Sequence, residues 1–347
     1  MTYEPSQIAE LIAALPLPVM VIGADQRVHA LNAQATAIFG HGAVGRHFTT
    51  TLRQPKLVTA VEQSLEDYGA RDVTYQVVEF GAEAIYDVHV AGVGDAGLLM
   101  ISFQNATALA QADQMRRDFV ANVSHELRTP LTALMGFVET LRGPAKNDAA
   151  ARDRFLAIMA READRMNRLV GGLLSLSRVE ADERVRPTDL IDLRDLLGAA
   201  VQNLTVVAKG QGVELAYVAG KSPHNVVGEG DQLLQVFTNL IENAIKYGGP
   251  QKSVRIDVAM TDHDAALRGP AFEVTVADQG AGIAPLHLPR LTERFYRVDS
   301  HRSRELGGTG LGLAIVKHIL NRHRGRLKVT SQLGEGSQFT VILPRNA

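Results

Sequence analysis

His125 stands in the run Phe119-Val-Ala-Asn-Val-Ser-His125-Glu126-Leu-Arg-Thr129-Pro130. A neutral imidazole is a competent nucleophile near pH 7, and an adjoining carboxylate can take its other proton. At about 100° per residue, His125 lies roughly 200° around a helix from both Val123 and Leu127. Those two belong to an apolar stripe, so the ring points away from the core. A lone histidine is most often a core or surface residue; the orientation excludes the core version, and the neighbours Glu126 and Thr129 weaken the surface one. Thr129, one turn later, places a hydroxyl on the same face. Pro130 removes a hydrogen bond to the Glu126 carbonyl and should bend the helix beside the nucleophile.

Three downstream segments have types suited to a nucleotide. In Asn239-Leu-Ile-Glu-Asn243-Ala-Ile-Lys246-Tyr247 the polar residues fall on one helical face. An amide oxygen there suits Mg²⁺, Lys246 can meet phosphate charge, and Tyr247 offers a ring to a base or ribose. Taken alone the segment also reads as the polar face of an amphipathic helix. Asp278-Gln-Gly280-Ala-Gly282 follows an expected strand; its carboxylate can accept from an exocyclic amine such as that of adenine. Gly307-Gly308-Thr309-Gly310-Leu311-Gly312 opens an expected helix, where exposed N–H groups and the helix N-terminus favour anions. It is neither a Walker A loop nor a Rossmann turn. The basic stretch from Glu293 to Arg304, which includes Arg297, is expected to form a lid over the phosphates.

These residues need elements to hold them. Apolar residues at steps of three and four from Met115 to Leu141 predict one long helix over about 109–142, ended by Gly143-Pro144. A second helix over about 149–180 carries Met159, Met166, Leu169, Leu173 and Leu176. Two such helices cannot close a core alone, so pairing with a second copy as a four-helix bundle is expected. Residues 1–108 read as strands near 19–22, 28–31, 73–80, 86–93 and 98–103, with helices near 32–39 and 56–67. Beyond Arg186-Pro187, helices near 193–209, 231–247 and 312–323 alternate with strands near 213–218, 254–260, 272–278, 326–331 and 338–343. The chain is thus expected to be multidomain α+β: a sensor-like module (1–108), a helical hairpin (109–184) and an α/β sandwich (185–347).

Composition sets limits. The chain has 347 residues, 46% of them hydrophobic and 21% charged, as in a soluble globular protein. Its formal charge of −2 makes no case for nucleic acid as partner. The absence of cysteine excludes disulfides, thiolate metal sites and thiol catalysis. The apolar stretch from Leu11 to Gly23 falls short of the ~20 residues of a spanning helix and is broken by Pro16 and Pro18. A cytoplasmic chain is expected, reaching a membrane only through a partner or an anchor no longer attached.

Over residues 108–347 the chain resembles sensor histidine kinases, with the histidine block and all nucleotide boxes in family order. The arrangement is most similar to the phosphate-regulon sensor subgroup. The resemblance implies a dimerisation and phosphotransfer hairpin followed by a Bergerat-type ATP-binding domain. It makes His125 the phosphorylated residue and Glu126 its acid/base. It assigns Mg²⁺ to Asn243 and adenine to Asp278. Gly308, Gly310 and Gly312 would frame the lid and phosphates, Tyr247 would touch the base, and Lys246 and Arg297 would bind phosphate. Asn239, Gly280, Gly282, Thr309 and Leu311 complete the expected ATP site. The H-E-x-x-T pattern implies a phosphatase role for Thr129, positioning water. The expected partners are a response-regulator aspartate and a second copy of the chain. Residues 8–108 resemble a PAS-type sensor; without cysteine it holds no cysteinyl flavin, while His29, His41, His47 and His89 leave haem open. Two other classes keep some of these features: a signalling scaffold without chemistry, and an ATP-driven clamp of the chaperone and mismatch-repair kind.

Overall fold

β-Branched and aromatic residues alternate through the first hundred positions, and they pair as a five-stranded antiparallel sheet. In the computed structural model its strands are β1 (Val19–Gly23), β2 (Val28–Leu31), β3 (Arg71–Glu79), β4 (Ala82–Gly92) and β5 (Leu98–Asn105), in the order β2-β1-β5-β4-β3. The structure describes residues 5–79, 82–93, 97–183, 185–218, 224–299 and 308–345. The chain divides into two units, Met1–Ala121 and Asn122–Ala347.

The first unit adds α1 (Pro5–Ala13), α2 (Ala33–Phe39) and α3 (Pro55–Asp67) to its sheet. The stretch beginning at Leu11 therefore splits between the end of α1 and β1. Ile12 is buried with Val19, Val21, Ala30 and Leu98 in a small second core. Asn32 ties these pieces together: its Oδ1 accepts from the N–H groups of Val19 (3.0 Å) and Ala35 (2.9 Å), and its Nδ2 donates to Leu17 O (2.7 Å). The main core is filled by Met20, Phe48, Leu52, Leu57, Leu99 and Phe103, all without exposed surface. Three of the histidines considered for haem are tied into side-chain pairs: His29 with Asp25 (2.9 Å), His47 with Gln26 (2.9 Å) and His89 with Asp72 (2.8 Å).

Helix α4 (Thr107–Arg142) is followed by α5 (Ala149–Asp182), whose N-cap Asp148 accepts from Ala151 N–H at 2.9 Å. Phe137 stacks on Phe155, their ring centroids 5.3 Å apart, so the two helices meet as a hairpin. Leu131, Met135, Val138, Leu156 and Leu174 remain exposed on it.

The rest of the second unit is β6 (Leu190–Asp192), α6 (Leu193–Gly210), β7 (Glu214–Tyr217), β8 (Asn225–Val227), α7 (Gly230–Gly248), β9 (Ser253–Asp264), β10 (Gly269–Asp278), α8 (Gly312–Arg322), β11 (Arg326–Gln332) and β12 (Gly336–Pro344). The large sheet runs β11-β12-β10-β9-β7, and β7 pairs with β9 in parallel while its other pairs are antiparallel. Helices α6, α7 and α8 pack on it, burying Phe237, Leu240, Ile241, Val274, Val276, Ile315 and Ile319. The architecture is the multidomain α+β arrangement expected from the sequence.

His323 closes the junction of α7 and α8. Its Nε2 accepts the Glu229 N–H (2.9 Å), so its proton sits on Nδ1, which donates to Ile319 O (2.7 Å). Burial, with Arg322 beside it, depresses the pKa of the ring. Below about pH 6.5 the unfolded chain binds a proton that the folded chain refuses, so stability falls by up to ~1.4 kcal/mol per pH unit. The melting temperature should therefore drop between pH 7.5 and 5.5. His323→Gln, which can still accept from Glu229, should flatten that slope; an unchanged slope would refute the linkage.

Candidate active site

Helix α7 places Asn239, Asn243, Lys246 and Tyr247 along one wall of a cavity of about 590 Å³. Their spacing of four, three and one keeps them on one face while Leu240, Ile241, Ala244 and Ile245 hold the helix in the core. Asp278, the last residue of β10, and Gly282 border one end of the cavity with Ile283, Ser337 and Phe339. Arg297, Gly308, Thr309, Gly310 and Gly312 border it as well.

The turn after β10 depends on glycine. Gly282 has φ +72°, and a Cβ there would stand 2.0 Å from the Gln332 carbonyl oxygen. Gly310, at φ +74°, receives the Phe295 N–H on its own carbonyl at 2.9 Å, and a Cβ would strike Phe295 backbone at 2.8 Å. The backbone at Phe295 and the glycine loop at Gly310 are therefore clamped together.

Asp278 is buried, and burial raises its pKa despite hydrogen bonds from the backbone of Gly280 (2.8 Å) and Ser337. Two further groups, Asn239 Nδ2 and Arg297 Nε, are buried and make no hydrogen bond among the described residues. Buried donors left open cost about 1–3 kcal/mol each, and both belong to residues that border the cavity. Of the donor set, Asn239, Glu242 and Asn243 present hard oxygens of the kind Mg²⁺ shares with phosphates.

On α4, His125 is exposed as its helical register requires, and Pro130 is buried one turn beyond it. Thr129 is exposed and its hydroxyl donates to the His125 carbonyl at 3.1 Å. Glu126 Oε2 is held by Arg165 of α5 at 2.9 Å and by Arg297 at 3.1 Å. The Arg297 side chain is 7% exposed. It reaches from this cavity to the carboxylate beside His125. Lys246 is likewise engaged, by Glu242 at 3.1 Å. Both expected phosphate cations thus line the cavity but already have anionic partners.

Two expected site residues stand behind the cavity wall. Gly280 orients Asp278 through its N–H, and Leu311 is fully buried against α5 near Gly172. Gly307 and residues 300–304 of the expected lid lie outside the described residues. Sequence reasoning misses Glu242, which its four-residue spacing from Lys246 could have flagged, and Tyr296, whose hydroxyl bonds His287 Nδ1 at 2.6 Å under the Arg290 guanidinium. It also misses Arg168 and Ser175 of α5, which border the cavity beside residues of α7 sixty or more positions away in the chain.

Residues 115–182 match the family described as His Kinase A (phospho-acceptor) domain. Residues 228–347 match the histidine kinase-, DNA gyrase B- and HSP90-like ATPase family. The chain is 35% identical over 337 residues to the phosphate regulon sensor protein PhoR of Pseudomonas aeruginosa, a match covering 96% of this chain and 73% of that one. With the sensor-like histidine kinase SenX3 of Mycolicibacterium smegmatis it shares 37% over 250 residues, 72% of this chain and 63% of the other. With the sensor protein kinase WalK of Staphylococcus saprophyticus it shares 36% over 242 residues, spanning 69% of this chain and 38% of that protein. The histidine kinase ThkA, solved in complex with response regulator protein TrrA, has a similar fold: TM-score 0.53 at 18% identity, covering 97% and 98% of the two chains.

Proposed function

The chain belongs to the sensor histidine kinases, ATP-dependent protein-histidine kinases of two-component systems, and from that membership we propose how its residues divide the work. ATP occupies the cavity beside α7. Asp278 accepts from the adenine amine, and Tyr247 lies along the base. Asn243 would hold a Mg²⁺ ion, with Asn239 and Arg297 as donors to the phosphates. A divalent ion there would neutralise charge on the phosphate oxygens.

The γ-phosphoryl group passes to a ring nitrogen of His125. The bond to the β-phosphate oxygen breaks and its electron pair leaves with ADP, while Glu126 takes the ring proton. The phosphoryl group then moves to an aspartate of a response regulator. The observation that carries this reading is Arg297, which joins the nucleotide cavity to the carboxylate next to His125 within one unit. Catalysis is mainly positioning and charge stabilisation. Incubating the protein with γ-labelled Mg-ATP tests it: label stable to base and lost in acid is expected, and binding without any label would favour the scaffold.

The division into a PAS-type sensor (1–108), a phosphotransfer hairpin (109–184) and an ATP-binding domain (185–347) belongs to the same proposal. The sheet order β2-β1-β5-β4-β3 supports the first part, and the exposed apolar residues of the hairpin support a homodimer. No described helix is long and apolar enough to cross a membrane. A cytoplasmic location, with membrane contact through a partner, fits that.

Thr129 gives the hairpin a second activity in this reading. Its hydroxyl shares the exposed face of His125 and can orient water against a regulator phosphoaspartate. Thr129→Ala should slow regulator dephosphorylation at least about tenfold and leave autophosphorylation within about twofold. Equal dephosphorylation rates in the two proteins would remove Thr129 from that role.

A further inference from the structure

Three cations border the nucleotide cavity among the described residues: Lys246, Arg297 and Arg168. Lys246 faces Glu242 and Arg297 faces Glu126. Arg168 is exposed and has no hydrogen-bond or ion-pair partner among the described residues. It comes, with Gly171, Gly172 and Ser175, from the hairpin helix α5 rather than from the ATPase-family region. We infer that Arg168 is a phosphate ligand of the bound nucleotide, so that the phosphoacceptor hairpin itself completes the ATP site.

Its position on α5 supports this. Arg165, Arg168, Gly172 and Ser175 follow one another at steps of three, four and three, which puts them on one helical face. Arg165 holds Glu126, next to His125. Gly172 meets Leu311 of the glycine loop, where a Cβ would come to 3.2 Å from Leu311 Cδ1. Ser175 accepts from Gln235 of α7 at 2.8 Å. Arg168 thus lies between the acceptor contact and the glycine-loop contact, about 4.5 Å along the axis from the first and about 6 Å from the second.

The terminal phosphates must cross that interval to reach His125. A guanidinium suits the task, because its planar fork binds two phosphate oxygens at once and keeps its charge at any working pH. A nucleotide bearing only one phosphate would not extend so far.

The inference rests on the assignment of the cavity to ATP, and the test separates the two. Binding of Mg-ATP and of AMP to the full chain is measured calorimetrically for wild type, Arg168→Ala, Arg168→Lys and Asn243→Ala. Arg168→Ala should weaken Mg-ATP about tenfold or more and leave AMP unchanged, with Arg168→Lys recovering part of the loss through its charge. Unchanged Mg-ATP affinity in Arg168→Ala overturns the inference, as does an equal loss for ATP and AMP, which would mark a packing effect. If Asn243→Ala loses Mg-ATP while Arg168→Ala keeps it, only the role of Arg168 falls. If both bind Mg-ATP normally, the cavity assignment falls and this inference with it.

Discussion

Replacing His125 by alanine should abolish the acid-labile label from γ-labelled ATP, a loss of at least about three orders of magnitude in rate. The expected effect is large because the ring is the acceptor itself, and nothing beside it can replace it. Glu126 is a carboxylate held by two arginines, and the Thr129 hydroxyl donates to the backbone. The substitution is also clean. His125 is exposed on α4, and alanine is the best helix former, so the fold should not suffer. His125 does not border the nucleotide cavity, so Mg-ATP should bind the variant with wild-type affinity. A variant that binds ATP and carries no label would fix His125 as the acceptor. Label persisting at the wild-type level would mean that the phosphoryl group goes elsewhere.

Much of this arrangement is legible in the sequence, and the part that is not has a physical reason. Helices α4, α5, α7 and α8 follow from apolar steps of three and four, and their bounds agree with expectation to within about two residues. Strands β6 and β8 have three residues each, too few for alternation to register, and α1 hides in an apolar run that continues into β1. The site shows the same split. The face of α7 and the glycine loop are local patterns, set by spacing along one element. The hold of Arg297 on Glu126 spans 171 positions, and the approach of α5 to the cavity depends on how the hairpin meets α7 and the glycine loop. No periodicity encodes such contacts. Leu311 shows the reverse error: set among binding glycines in the sequence, it turns its side chain away from the cavity and into the contact with α5.

Asp278→Asn should cost the nucleotide site about tenfold to a hundredfold in affinity without unfolding it. Asparagine has the same shape and can still accept the Gly280 N–H through its oxygen. Its other arm becomes an NH₂ group, so a donor would face the donor amine of adenine, and an unmatched buried pair costs about 1–3 kcal/mol. Each ~1.4 kcal/mol is tenfold in affinity. Stability should move the other way. Burial raises the pKa of Asp278, so at neutral pH the folded chain bears the cost of an ionised carboxylate in a poorly solvated place. Removing that charge should leave the melting temperature of the nucleotide-free protein unchanged or higher. The same shift sets the pH dependence of the wild type. The ionised form accepts from the amine more strongly than the neutral acid, so affinity for adenosine should fall as pH drops through a pKa above the ~3.9 of an ordinary aspartate. Adenosine is the probe because it has no phosphate to titrate. A variant that melts lower and binds poorly would make Asp278 a structural residue, whereas weak binding with undiminished stability would make it the reader of the base.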